Sequence, residues 1–165
     1  MPESAPQALG KPMINLLPIE QDEKIHTVMP MPENEETWKN LQIIFATKNG
    51  NIRRNQLSDF TNIRQNGKIA MKLNENDELV SVIPCTDKDN VLLATRLGKA
   101  IRFDVNDVRV FVGRGSSGVR GIKLKPNDYV VSMSLISRLE KRYILSVTEN
   151  GFGKRTPIED YRLTN

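Results

Sequence analysis

Three apolar runs end on the same residue at recurring points of the chain. "LQIIFAT" ends at Thr47, "NVLLAT" at Thr95 and "YILSVT" at Thr148. Each is short, β-rich and followed by polar turn residues, a pattern that predicts strands. A glycine follows each threonine at the same distance (Gly50, Gly98, Gly151), and a second strand follows the glycine. Asn49-Gly50 and Asn150-Gly151 are strong hairpin dipeptides, and Gly98 keeps the turn although Leu97 replaces the asparagine. Upstream of each hairpin stands another predicted strand: "DEKIHTVMP" from Asp22, "DELVSVIPC" from Asp77 and "DYVVSMSLI" from Asp128. Downstream, residues 66–73 ("NGKIAMKL") and 117–124 ("SGVRGIKL") each read as a glycine turn and an alternating strand. No segment longer than a turn or two has a 3.6-residue apolar period. Residues 31–40 form an acidic, loop-like insertion with room for one helical turn.

The hairpins share one gapless template, T-x-x-G-x-x-x-R-x-x-x-x-D. Thr47, Gly50, Arg54 and Asp59 align with Thr95, Gly98, Arg102 and Asp107, and with Thr148, Gly151, Arg155 and Asp160. The copies start 48 and then 53 residues apart. A period of that size with about four strands per unit is that of a propeller blade or a comparable array. The prediction is an all-β, propeller-like array of about three four-stranded repeat blades. Residues 1–16 form an N-terminal extension, 17–72 the first blade with its insertion, 73–123 the second, and 124–165 a truncated third.

The run "GRGSSGVRG", residues 113–121, places Gly113, Gly115 and Gly118 at the G-x-G-x-x-G spacing of a dinucleotide-binding loop. That fingerprint needs a helix after the loop, whose N-terminus holds the pyrophosphate. Here Val119, Ile122 and Leu124 alternate as in a strand, and Gly118 has a counterpart one repeat earlier in Gly67. The run belongs to the repeat, so dinucleotide binding is rejected. Contact with phosphates stays open, because Arg114 and Arg120 flank exposed backbone.

Charge sharpens the picture. Residues 1–40 carry three basic and seven acidic side chains, and residues 41–165 carry 21 and 13. The net charge of +4 is therefore a basic body with an acidic N-terminal part, and a polyanion is the natural partner. A single cysteine, Cys85, excludes an internal disulfide and reads as a buried strand residue. The single histidine, His26, reads as a structural strand position. No His, Cys and carboxylate constellation recurs, so no catalytic residue, metal or cofactor is assigned. No apolar run nears the roughly 18 residues of a membrane span, and a cytoplasmic, nucleoid-associated location is expected.

"GKPMINLLPIEQDEKI", "TKNGNIRRNQLSDF", "GVRGIKL" and "TENGFGKRTPIEDY" closely resemble the C-terminal domain of the A subunit of DNA gyrase, a type II topoisomerase. The likeness runs through essentially the whole chain from about Pro6. "INLLPIE" and "NGFGKRT" favour gyrase over the related subunit of topoisomerase IV. The resemblance implies a β-pinwheel that wraps double-stranded DNA on its basic perimeter and supports ATP-dependent negative supercoiling. It implies two protein partners, the rest of the gyrase A subunit with the gyrase B subunit. Relative to the family pattern this chain lacks the basic, glycine-rich gyrase box and the catalytic tyrosine domain. It has Leu9 where the family often has arginine, and it is expected to be a fragment or split-gene product, not an enzyme on its own. Tyr129, Tyr143 and Tyr161 sit at repeat positions and are not cleavage candidates.

Wrapping needs many phosphate contacts without base readout. The candidates are the hairpin residues Arg53, Arg54, Arg96, Lys99, Arg102, Lys154 and Arg155, with Arg64, Lys68, Arg114, Arg120 and Lys123 from connecting loops. Each repeated arginine could instead close a structural salt bridge with the aspartate five residues on, which leaves Arg53, Lys68, Lys99, Arg114 and Lys154 as the unpaired candidates. Trp38 is expected to cap the first unit. The alternatives to DNA wrapping are a β-repeat scaffold for protein interaction and a nonfunctional gyrase fragment.

Overall fold

The computed structural model describes residues 5–19, 23, 25–64, 67–137 and 141–164. Its first strand, β1 (Gln42–Thr47), shows how the apolar runs are used. Ile44 and Ala46 enter one buried cluster while Ile43 and Phe45 enter another. Successive strand side chains point to opposite faces, so a run apolar at every position is a strand covered on both sides. β4 (Asp89–Thr95) repeats the arrangement, with Val91 and Leu93 in the first cluster and Leu92 in a third. In β8 (Tyr143–Val147) only Ile144 packs inward, against that third cluster. Its neighbours Tyr143, Leu145 and Val147 are exposed.

Each run is the first arm of an antiparallel hairpin. β1 pairs with β2 (Asn51–Gln56), β4 with β5 (Ala100–Asp104), and β8 with β9 (Gly153–Pro157). The sheets are then extended by the following repeat. β3 (Leu79–Cys85) lies on the outer edge of β1, with Ile83 opposite Ile44. β7 (Val130–Ser137) lies likewise on β4, and the short β6 (Val119–Arg120) lies on β2. The strand orders are β3-β1-β2-β6, β5-β4-β7 and β8-β9. The fold is an all-β, propeller-like array of antiparallel sheets. Its sheets have four, three and two strands among the described residues, because the first two draw outer strands from the next unit.

Three expected strands differ. Residues 25–30 carry no strand, and His26 is exposed there instead of occupying a strand position. Residues 68–73 carry none either, and 117–124 contributes only the two residues of β6. An extended segment becomes a strand only where an edge offers its backbone a ladder partner. β3 and β7 have the hairpins before them, whereas among the described residues no hairpin precedes 25–30.

The template residues have local jobs. At each turn the glycine N–H donates to the threonine carbonyl, at 3.0 Å for Gly50, 3.0 Å for Gly98 and 2.9 Å for Gly151. The threonine hydroxyl accepts from the amide four residues on, at 3.2 Å from Asn51, 3.1 Å from Lys99 and 3.2 Å from Phe152. The aspartate that opens the next strand seals the turn from outside. Asp77 accepts from the Asn49 amide at 2.9 Å and the Thr47 hydroxyl at 2.7 Å, and Asp128 accepts from the Leu97 amide at 3.0 Å. Partial desolvation opposes the charge on Asp128. The Leu97 amide, the Thr95 hydroxyl, the Tyr129 amide and Lys125 outweigh it and hold that carboxyl below its ordinary range.

The clusters lie between units. The first joins Ile44 and Ile52 of the first sheet to Val91, Leu93, Phe103 and Met133 of the second. Ile44, Ile52, Val91 and Leu93 are wholly buried, each contributing about 1.5–3 kcal/mol of hydrophobic stabilisation. Trp38, in a 3-10 turn at Glu35–Asn40, covers the far side of the first sheet with Met29 and Met31, and its indole donates to the Pro32 carbonyl at 2.9 Å. Cys85 ends β3 inside the first cluster, and burial pushes its thiol up to about 12, with Arg54 working the other way. The inner wall of the glycine run is equally tight: a Cβ on Gly118, at φ +87°, would meet the Ile52 carbonyl, whereas one on Gly98, at φ +80°, would meet nothing within 4 Å. Gly98→Ala is expected to cost about 1 kcal/mol, for the left-handed backbone alone. Gly118→Ala is expected to cost at least twice that in urea unfolding, and equal losses would remove the close approach as the reason for this glycine.

Candidate nucleic-acid interface

Arg53 was expected on the surface, and the structure corrects this. It sits in β2 at 1 % exposure, beneath the glycine run. Its Nε donates to Asn55 Oδ1 at 2.7 Å and its Nη1 to Ser116 Oγ at 3.0 Å. Its terminal nitrogens also donate to the carbonyls of Ser116 and Gly113, and the Phe111 ring lies 5.0 Å from the guanidinium carbon. Asn55 adds bonds to the Phe111 carbonyl at 3.0 Å and the Gly113 carbonyl at 2.8 Å. Desolvation lowers the Arg53 pKa and Asp59 partly offsets it. This gives the rejection of a dinucleotide loop its physical reason. A phosphate-binding loop turns N–H groups toward its ligand, and here the carbonyls of Gly113 and Ser116 turn inward to a cation.

The repeated arginines do not pair with the aspartates five residues on. Arg54, at 5 % exposure, donates to Asn106 Oδ1 at 3.1 Å and lies 3.5 Å from Asp87. Arg102, half-buried, donates to Asn90 Oδ1 at 2.8 and 3.1 Å, and to the Ile158 and Tyr161 carbonyls at 3.1 and 3.3 Å. Each therefore reaches a later unit. Of the aspartates, Asp59 accepts from Asn55 and Asp107 caps its own 3-10 turn through the Asp104 amide. Arg155, in the third copy, is exposed and stacks 3.9 Å from the Tyr143 ring.

The other candidates face solvent to different degrees. Arg64, Arg96, Lys99, Arg120, Lys123 and Lys154 are exposed, and Lys68 and Arg114 are half-buried. Arg64, Lys68 and Arg114 line one cleft of about 370 Å³ with Asn62 and Gly67, and no carboxylate among the described residues lines it. Lys68 Nζ donates to the Thr61 carbonyl at 2.7 Å, and Arg114 Nη1 is buried without a hydrogen-bond acceptor among the described residues. Two loops from successive units thus converge three cations on one opening. A second grouping joins the first two hairpins. Lys99 Nζ donates to the Lys123 carbonyl at 2.6 Å, and Arg96 and Lys48 lie 5.8 and 5.4 Å from the Tyr129 ring. Lys48, partly balanced by Glu78 at 3.2 Å, was not among the sequence candidates, nor were exposed Arg109, 4.3 Å from the Phe111 ring, and exposed Lys125. Lys48 precedes the hairpin turn and Arg109 the glycine run, so their repeat position was a usable signal. The lining of the Arg64, Lys68 and Arg114 cleft was not, because it depends on how loops from two units meet.

An array of strand-exchanging antiparallel sheets with cations gathered on its loops defines a propeller-type domain suited to a polyanion. The sequence matches the family described as the DNA gyrase C-terminal domain, beta-propeller, three times, over residues 42–86, 89–137 and 142–165. The chain belongs to this family of DNA gyrase C-terminal domains, which in its relatives is part of the A subunit. The A subunit of DNA gyrase from Rickettsia bellii is 41% identical over 211 residues, covering 100% of this chain and 23% of that protein. Its counterpart from Granulibacter bethesdensis is 49% identical over 142 residues, covering 85% of this chain and 15% of that protein. The chain thus spans under a quarter of these relatives. Among solved structures, the C-terminal domain of a DNA topoisomerase IV superposes with a TM-score of 0.86 at 28% identity, covering 96% of this chain and 48% of that one. A DNA gyrase A C-terminal domain gives 0.79 at 29% identity, covering 94% and 50%.

Replacing Arg53 by methionine keeps most of the volume, takes the donor from Asn55 Oδ1 and leaves the Gly113 and Ser116 carbonyls only their weaker neutral donors, Asn55 Nδ2 and the Lys72 amide. Arg53→Met is expected to cost about 3 kcal/mol in urea unfolding, while Arg64→Met stays within about 0.5 kcal/mol. Equal stability of the two variants would place Arg53 outside the core.

Proposed function

We propose that this chain binds duplex DNA through phosphate contacts, without reading sequence, as part of the DNA-wrapping surface of the gyrase A subunit. The observation that carries the reading is the cleft of Arg64, Lys68 and Arg114. Three cations converge there with no lining carboxylate, and one guanidinium nitrogen has no acceptor among the described residues. A buried donor without a partner is costly, and a phosphate oxygen would satisfy it with a charge-assisted bond. Exposed Arg96, Lys99, Arg120, Lys123, Lys154 and Arg155 add contacts of the same kind, joined by Lys48, Arg109 and Lys125. Buried Arg53 and Arg54 act indirectly, by holding the loops, and Arg102 spends its donors on Asn90 of its own hairpin and on the third unit.

In the assembled enzyme the surface would curve DNA for ATP-dependent negative supercoiling. Strand cleavage would fall to the rest of the gyrase A subunit, while ATP use would fall to the gyrase B subunit. The chain itself is read as a binding module that needs no cofactor.

The test is affinity of the 165-residue chain for linear duplex DNA of unrelated sequences across a salt series. Affinity is expected to fall steeply and log-linearly with salt and to ignore sequence. Reversing Arg64, Lys68 and Arg114 to glutamate is expected to lower the log–log slope by roughly 0.9 for each phosphate no longer neutralised, with an unchanged far-ultraviolet spectrum. Binding that is insensitive to salt, or untouched by this triple reversal, would overturn the reading in favour of a protein-interaction scaffold.

A further inference from the structure

We propose that Glu78 limits the affinity of this chain for DNA, by holding Lys48 in an ion pair at a place where the next unit leaves its cation free. The inference rests on the DNA-binding reading and names what restrains it. The observation is a replacement within the repeat. Glu78 and Tyr129 each follow an aspartate that seals a hairpin turn, Asp77 and Asp128. The Glu78 carbonyl accepts from the Lys48 amide at 2.8 Å, and the Tyr129 carbonyl accepts from the Arg96 amide at 2.9 Å. Lys48 and Arg96 each follow the template threonine. The two pairs are equivalent in backbone and opposite in chemistry. The Glu78 carboxylate lies 3.2 Å from Lys48 Nζ. At the equivalent place Tyr129 brings a ring, 5.8 Å from the Arg96 guanidinium carbon, and Arg96 forms no ion pair among the described residues.

The two turns share one edge. The Val130 amide donates to the Lys48 carbonyl at 2.9 Å, which fastens the third unit across the first turn. The Tyr129 ring thereby lies 5.4 Å from Lys48 Nζ as well as beside Arg96. A cation beside a ring keeps its charge, whereas a paired carboxylate offsets it and repels a phosphate. One ring seats two cations from successive units, and one carboxylate neutralises the first of them. Folding does not require that carboxylate. The side chains of the pair are 37% and 59% exposed, and an ion pair so exposed contributes little to stability. The acceptors that seal the turn belong to Asp77, which takes the Asn49 amide and the Thr47 hydroxyl. What remains for the Glu78 carboxylate is the charge of the edge, where it sets how many phosphates the two turns neutralise.

The experiment is binding of linear duplex DNA by the 165-residue chain across a salt series, with Glu78→Gln, Lys48→Met and the double variant beside the wild type. Glu78→Gln is expected to bind roughly two- to fivefold tighter at about 0.1 M salt. Its log–log slope should steepen by up to about 0.9, as Lys48 neutralises one more phosphate. Tyr129→Glu, which sets a carboxylate beside both cations, is expected to shift affinity and slope the other way. The steepening should vanish when Lys48 is also methionine, which separates release of Lys48 from the general loss of a negative charge. The urea midpoint of Glu78→Gln is expected to match the wild type. An unchanged slope in Glu78→Gln, or a steepening that persists with Lys48→Met, would overturn this inference and leave the DNA-binding reading standing. Salt-insensitive binding by the wild type would overturn both.

Discussion

The Phe111 amide donates to the Arg54 carbonyl at 2.7 Å, and the Thr164 amide donates to the Arg102 carbonyl at 2.8 Å. These two bonds express the constraint on which the rest of the structure depends. An unpaired hairpin edge is a liability in a packed array, and in the first two repeats the strands that cover those edges come from a following unit. The edge of β2 is met by Val110 and then by β6, and the edge of β5 by Leu163. The opposite edges of β1 and β4 are met by β3 and β7. The apolar clusters follow the same rule, each formed where the face of one sheet meets the next unit or the segment that covers it. Stability is therefore shared between units, as expected where a single repeat cannot bury its own faces.

That constraint decides what the charges do. An arginine whose backbone lies under the arriving segment is placed to bind it, and Arg54 and Arg102 do so with side-chain donors turned toward later units. Arg53 goes further and becomes part of the core beneath the glycine run. Cations on loops between these closures are left nearer solvent, although Lys68 and Lys99 each fasten one loop carbonyl. The division between fastening arginines and solvent-facing ones is thus a division by position in the strand ladder. Arg155 has the same place in the template as Arg54 and Arg102, yet it is exposed, since no described segment arrives over β9.

Much of this is legible in the sequence. The spacing of Thr47, Thr95 and Thr148 locates all three hairpins, the apolar runs identify their inner strands, and the fold class follows. Gly118 reads correctly as an architectural glycine, Cys85 as buried and Trp38 as a cover for the first unit. Arg53 misleads because two adjacent arginines in a hairpin look solvated. Its burial depends on carbonyls sixty or more residues away, contacts that no local pattern encodes. The strand expected at residues 25–30 has the right pattern and lacks a partner edge, which is a tertiary condition. The cleft of Arg64, Lys68 and Arg114 likewise depends on how two loops converge.

Native-state hydrogen exchange at the Phe111 amide tests the central claim most directly. If closure by the next unit is what holds each sheet, this amide should exchange only with global unfolding, at the same free energy as the amides of Ile44 and Val91 in the first two sheets. Exchange orders of magnitude faster, through local opening of the 108–121 segment while β1 and β4 stay protected, would show that the units stand alone and that the exchanged segments are ornament.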